Sequence, residues 1–146
     1  MSQPPTLNPA EQKEHLDKIA IGLVEALPSD WRELTILFDR LGRAAGFGAR
    51  LTRFDGSHER WRPPNEILQA FDRLRAGMHV DGEGTWFSCR FTLVPPGRWD
   101  IQYSRSEQPR TAKPPTPEEF AREQRRFPRS DANMPDWYRA GLATVD

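Results

Sequence analysis

The apolar positions of this chain change their period several times, and each change marks an element. Leu16, Ile19, Ala20, Leu23, Val24 and Leu27 recur at spacings of three and four, which predicts one buried stripe of a helix. Asn8-Pro9-Ala10-Glu11 precedes them with a capping residue, a first-turn proline and a capping-box glutamate, and Pro28 ends the run. Beyond Trp31 the period falls to two. Leu34, Ile36 and Phe38 predict a strand, and Phe47, Ala49 and Leu51 predict its antiparallel partner, alternating with Arg50 and Thr52. Between them, Gly42 to Gly48 reads as a glycine- and alanine-rich turn. A polar stretch, Asp55 to Arg60, gives way to Pro63-Pro64, after which Ile67, Leu68, Phe71 and Leu74 carry helical spacing up to Gly77.

The clearest strand signal runs from Thr85 to Val94. Phe87, Cys89, Phe91 and Leu93 fall on one face, and Trp86, Ser88, Arg90 and Thr92 on the other. The turn Pro95-Pro96-Gly97-Arg98 leads into Trp99, Ile101 and Tyr103, which alternate with Asp100, Gln102 and Ser104, so the two runs form a hairpin. Ser104 to Pro117 is polar and proline-rich, an extended surface loop. Thr116-Pro117-Glu118-Glu119 reads as a second capping box, opening a helix to about Arg126 that Phe127-Pro128 breaks. A final helical turn starts at Met134-Pro135-Asp136-Trp137. The order helix, hairpin, helix, hairpin, helix predicts an α+β fold: an antiparallel sheet built from hairpins with helices packed on it. Residues 1–7 read as a disordered lead-in and 8–146 as a single domain, a size that can bury a real core.

Charge and cysteine usage narrow the function classes. Lysine plus arginine and aspartate plus glutamate both total 21, a balance that speaks against a nucleic-acid coat or a binder of anionic membranes. Most of the positive charge is arginine, which suits planar contacts with carboxylates and aromatics between proteins. The lone Cys89 leaves no internal disulfide, as expected in a reducing compartment. The start Met1-Ser2-Gln3-Pro4-Pro5 lacks signal-peptide character, and no apolar run approaches the ~20 residues of a membrane span. The expectation is a cytoplasmic protein.

No pattern of residues points to catalysis, a cofactor or a metal. His15, His58 and His79 share no ligand spacing, and Cys89 lies on the apolar face of its strand, where a thiol is a small core residue. The glycines from Gly42 to Gly48 lack the lysine and hydroxyl residue of a phosphate loop. Ser57-His58-Glu59 has no nucleophile elbow, and Glu118-Glu119 sits where helix capping explains it. Trp86 and Arg90 share the presumed outer face of their strand, and these residue types are enriched at binding hot spots. A helix or the long loop could instead cover Trp86, and a one-residue change of register would exchange the two faces.

The C-terminal half carries ordered motifs: Thr85-Trp86-Phe87-Ser88-Cys89-Arg90-Phe91, then Pro96-Gly97-Arg98-Trp99-Asp100-Ile101-Gln102-Tyr103, then Phe127-Pro128-Arg129 and Met134-Pro135-Asp136-Trp137. Over residues 84–138 this resembles the actinobacterial branch of the YezG-like immunity proteins, and Leu27-Pro28-Ser29-Asp30-Trp31 is similar to that family as well. The resemblance implies a non-catalytic bacterial protein whose partner is a cognate polymorphic toxin domain, a nuclease or an NAD-degrading enzyme, with no nucleic acid and no membrane. Relatives tend to carry acidic residues after the tyrosine, where this chain has Ser104-Arg105-Ser106-Glu107; if those acids meet a basic toxin surface in relatives, the partner or contact of this chain differs. The expected contact residues are Trp86, Arg90, Asp100 and Gln102 on the hairpin, with Arg105 and Arg110 in the loop. Two rivals remain: a small-ligand-binding domain with a pocket between sheet and helices, and a regulatory interaction module, homodimeric through a free sheet edge. A monomer is the starting expectation.

Overall fold

The computed structural model describes residues 5–143, so most of the presumed lead-in (residues 1–4) lies outside it. Leu7 does not hang free: its amide donates to the Gly77 carbonyl at 2.7 Å. Helix α1 (Pro9–Ala26) begins as its sequence dictates. The Asn8 side chain accepts from the Glu11 amide at 2.8 Å and Glu11 accepts from the Asn8 amide at 3.0 Å. Its stripe of Leu16, Ile19, Ala20 and Leu23 is buried.

Strands β1 (Trp31–Leu41), β2 (Ala44–Arg53) and β3 (His58–Arg60), helix α2 (Asn65–Gly77) and strands β4 (Ser88–Val94) and β5 (Arg98–Ser104) follow. Helices α3 (Pro117–Arg126) and α4 (Asp136–Ala143) close the described chain, with a single 3-10 turn at Asp131–Asn133 between them. The five strands form one antiparallel sheet in the order β3-β2-β1-β4-β5, so the two expected hairpins lie side by side through β1 and β4. The fold is α+β.

Several local expectations are corrected. The first turn is only Gly42-Arg43, and Ala44 to Gly48 belong to β2. Gly42 sits at φ 58°, where glycine avoids the steric cost of a side chain. The polar stretch after Asp55 contributes β3, an exposed edge strand that no apolar alternation announces. Thr116 makes no side-chain cap; Glu119 Oε1 accepts instead from the Arg43 amide at 2.7 Å, tying α3 to the β1–β2 turn.

Two apolar clusters hold the layers together. The larger lies between one sheet face and α1 with α2, and includes Leu34, Ile36, Phe38, Leu51, Phe71, Phe91 and Trp86. The smaller gathers Leu41, Phe87, Phe120 and Tyr138 under α3 and α4. Trp86 and Phe87 enter different clusters because the chain bends at Phe87 before β4 begins at Ser88. That irregularity breaks the strict alternation from Thr85 onward, so Trp86 is fully buried.

Where the two clusters meet, arginines satisfy backbone carbonyls and a carboxylate, while Arg129 Nε stays buried without a partner among the described residues. Arg75 Nε donates to the Trp86 carbonyl at 2.7 Å, and its Nη2 meets Glu123 Oε2 at 2.5 Å. Glu123 Oε1 also accepts from the Gly42 amide at 3.0 Å. Arg129 donates to the carbonyls of Thr85, Arg105 and Asn133 while its guanidinium stacks 4.3 Å from the Phe87 ring centre. Phe127 is buried between His79 and Arg126, with Arg75 over its ring as well, so it fixes the end of α3 against the C-terminal end of α2.

Because the Arg75 and Glu123 side chains are only 5% and 1% exposed, removing one strands the other in a dry site. Glu123→Ala should therefore lower unfolding free energy by ~3–5 kcal/mol in urea titrations. Asp17→Ala on α1, which removes the exposed Lys13 pair and the Trp99 indole's bond, should cost far less, because solvent screens that carboxylate. Equal losses for the two variants would contradict this assignment.

Candidate functional site: the open face of the sheet

Even-numbered positions of β2, β4 and β5 and odd-numbered positions of β1 point away from α1 and α2. Cross-strand pairing aligns them in rows that span the sheet. One row runs Arg60, Arg50, Thr35, Thr92, Asp100; the next runs Gly48, Leu37, Arg90, Gln102. No helix of the described chain covers these rows. Leu37 is 47% exposed in the middle of a strand, and a Cβ added at Gly48 beside it would meet nothing within 4 Å.

One end of the face is covered. The proline-rich loop crosses it as a strap, with the Arg110 amide donating to Asp39 Oδ1 at 2.9 Å and the Ala112 amide to the Ala45 carbonyl at 2.9 Å. Gly46, opposite Asp39, lies directly beneath, and any Cβ there would collide with the Arg110 carbonyl. Burial under the strap raises the Asp39 pKa, partly offset by the Arg110 amide. The glycines of β2 thus have a positional purpose: one admits the strap and the other leaves the face open.

The expected contact residues divide accordingly. Arg90, Asp100 and Gln102 are exposed and lie together on the open face, with Arg90 directly opposite Gln102. Trp86 is corrected: it packs against Phe38 and Tyr103 in the core and presents no surface. Arg105 is half-buried, and its guanidinium donates to the Gly84 and Met78 carbonyls at 3.3 and 3.1 Å, closing the 78–84 loop. Arg110 keeps an exposed side chain, while its backbone holds the strap. Arg50, Arg60, Arg98, Glu33 and Leu37 share the face and were not among the expected contacts. The alternation of Arg50 and Thr52 with Ala49 and Leu51 carried that signal for β2.

Other candidate chemistry is accounted for by local contacts. Cys89 is buried, and desolvation, with the Asp39 carboxylate nearby, drives its pKa upward, so it stays a thiol. His58 Nδ1 lies 2.9 Å from Thr52 Oγ1, and His79 Nδ1 lies 2.6 Å from the Ala76 carbonyl. Among the described residues no group of histidine, cysteine or carboxylate side chains could hold a metal ion, and no helix is long and apolar enough to cross a membrane. One surface depression of about 340 Å³ is lined by Arg105, Arg129 and Asn133; the two guanidinium groups and the Asn133 amide already donate to carbonyls. Another, of about 370 Å³, is formed by Thr92, Val94, Arg98, Trp99 and Asp100 at the hairpin end of the open face.

No model of a known protein family matches this chain, and no curated protein matches it either.

The two glycines offer a direct check on which part of the face is free. Gly48→Ala should leave the melting temperature unchanged or raise it by about 1–4 °C, whereas Gly46→Ala should destabilise by about 2 kcal/mol or more as the strap is displaced. Indistinguishable thermal unfolding of the two variants would mean that the strap does not lie where it is described.

Proposed function

We propose that this chain is a non-catalytic immunity protein that binds and neutralises a cognate bacterial toxin domain in the cytoplasm, using the open face of its sheet. The observation that carries the proposal is the uncovered five-stranded face, which leaves Arg90, Asp100, Gln102 and Leu37 in solvent while the opposite face is packed under two helices. Strand spacing makes this surface roughly 20 Å across. With side-chain relief, that approaches the ~800 Å² that each partner gives to a standard interface.

The motifs that resemble the YezG-like immunity proteins contribute Trp86, Phe87, Phe127, Arg129 and Trp137 to the two clusters and the arginine clamp. They favour a common scaffold. Partner choice would then be written in the exposed rows, where substitutions leave the fold intact. A stoichiometric blocker needs no reactive group of its own; it needs a rigid surface with a few well-placed anchors.

The test is a pull-down of the purified protein against the toxin domain encoded beside its gene, with calorimetry on the complex. One-to-one binding that abolishes toxin activity is expected. Arg90→Glu should raise Kd by about tenfold or more without shifting the melting temperature, because Arg90 is exposed and contributes nothing to either core. Binding to no toxin domain encoded nearby would overturn the proposal, and unchanged affinity in the variant would remove this face from it.

A further inference from the structure

Resting on that reading, we infer that the open face recognises an acidic protein surface carrying an exposed apolar side chain. The chain has no net charge, yet this face is markedly basic. Arg50, Arg60, Arg90 and Arg98 are exposed on it, and none is paired with a carboxylate among the described residues. The arginines elsewhere that serve the fold are engaged: Arg53 with Asp30 and Glu59, Arg40 with Asp72, Arg75 with Glu123. Glu33 and Asp100 are the exposed carboxylates of this face, and Asp39 lies half-buried under the strap at its end.

Near the middle of the face stands one large exposed apolar side chain, Leu37. It lies next to Gly48 in the row, where no side chain fills the space, and Arg90 flanks it on the other side. A single aliphatic or aromatic side chain of a partner can lie there against Leu37, and carboxylates around it would meet the free guanidinium forks. This arrangement favours protein over nucleic acid. The sheet's aromatics Phe38, Phe91 and Trp99 belong to the core side, so the exposed rows offer no stacking platform, and Glu33 and Asp100 would repel phosphates. A second copy is disfavoured too, because the face laid on itself sets arginine against arginine. An acidic contact also has the opposite sign to the basic cleft with which a nuclease holds phosphates. The surface recognised therefore lies away from any such cleft, and blocking acts by obstruction beside it.

The test does not require the toxin. The isotopically labelled full chain is titrated with a short peptide of glutamates and aspartates around a central leucine, and separately with a single-stranded DNA oligonucleotide, while amide shifts are followed. The expected peptide-induced shifts cluster at residues 35–37, 48–50, 90–92 and 98–102. They should shrink severalfold between about 0.05 and 0.5 M salt as screening shortens the range of charge interactions. They should vanish in Arg50→Glu/Arg90→Glu, whose unperturbed spectrum reports an intact fold. Replacing the central leucine by serine should weaken binding further. Shifts that are absent or lie elsewhere would overturn the inference, as would tighter binding of the oligonucleotide to the same rows. A neutralising toxin complex with a salt-insensitive Kd would also overturn it while leaving the proposed function standing. Peptide binding at this face without any toxin complex would support it and count only against the immunity reading.

Discussion

The buried ion pair between Arg75 and Glu123 is the constraint around which this molecule is arranged. Two charges taken out of water carry a desolvation penalty of several kcal/mol each, which is recovered only when every donor and acceptor is matched. Here the matching is done by parts of the chain distant in sequence: the Trp86 carbonyl for Arg75, and the Gly42 amide for Glu123. The pair therefore forms only when α2, α3, the β1–β2 turn and the entry to β4 have all reached their places. Thr85 Oγ1, bonded to the Arg75 carbonyl at 2.6 Å, and Arg129, bonded to the Thr85 carbonyl at 2.6 Å, extend the same network into the C-terminal segment.

That network decides where the uncovered surface falls. It anchors α3 and α4 at one end of the sheet, over Leu41 and Phe87, while α1 and α2 pack on one face against β1, β2, β4 and β5. Among the described residues no helix lies over the Thr35 and Leu37 rows of the other face, and the strap crosses it at the Asp39–Gly46 end. The exposed rows carry neither cluster and none of the clamp. They can change charge and shape without disturbing the fold, which is the property a family of partner-specific binders requires. A face set on two packed helices is also rigid, so little conformational entropy is lost when a partner docks.

Much of this was legible in the sequence, for physical reasons that differ by element. Helix α1 announces itself because its capping box and apolar stripe are local features. The β4–β5 hairpin does so because one side of it is core and the other solvent, which imposes strict alternation. The same alternation placed Arg90, Asp100 and Gln102 on the outer face. Trp86 was misplaced because a single bend at Phe87 reverses the faces, and side-chain period alone contains no sign of it. Strand β3 was missed because both its neighbours in space and its own residues leave it solvated, with His58, Glu59 and Arg60 all exposed. Arg75, Glu123 and Arg129 look like surface charges, and only tertiary contacts make them buried. The glycines of β2 look like a turn, whereas one makes room for the strap and the other leaves open space beside Leu37.

The most direct check of the central claim is hydroxyl-radical footprinting of the protein alone and in complex with the toxin domain that the proposed function requires. Leu37 on the open face, Ile21 on α1 and Phe54 at the β2–β3 turn are 47%, 60% and 66% exposed, so all three react in the free protein. If the open face is the interface, Leu37 loses its reactivity in the complex while Ile21 keeps it. Protection of Ile21 with Leu37 unchanged would place the partner on the helical side and contradict the account.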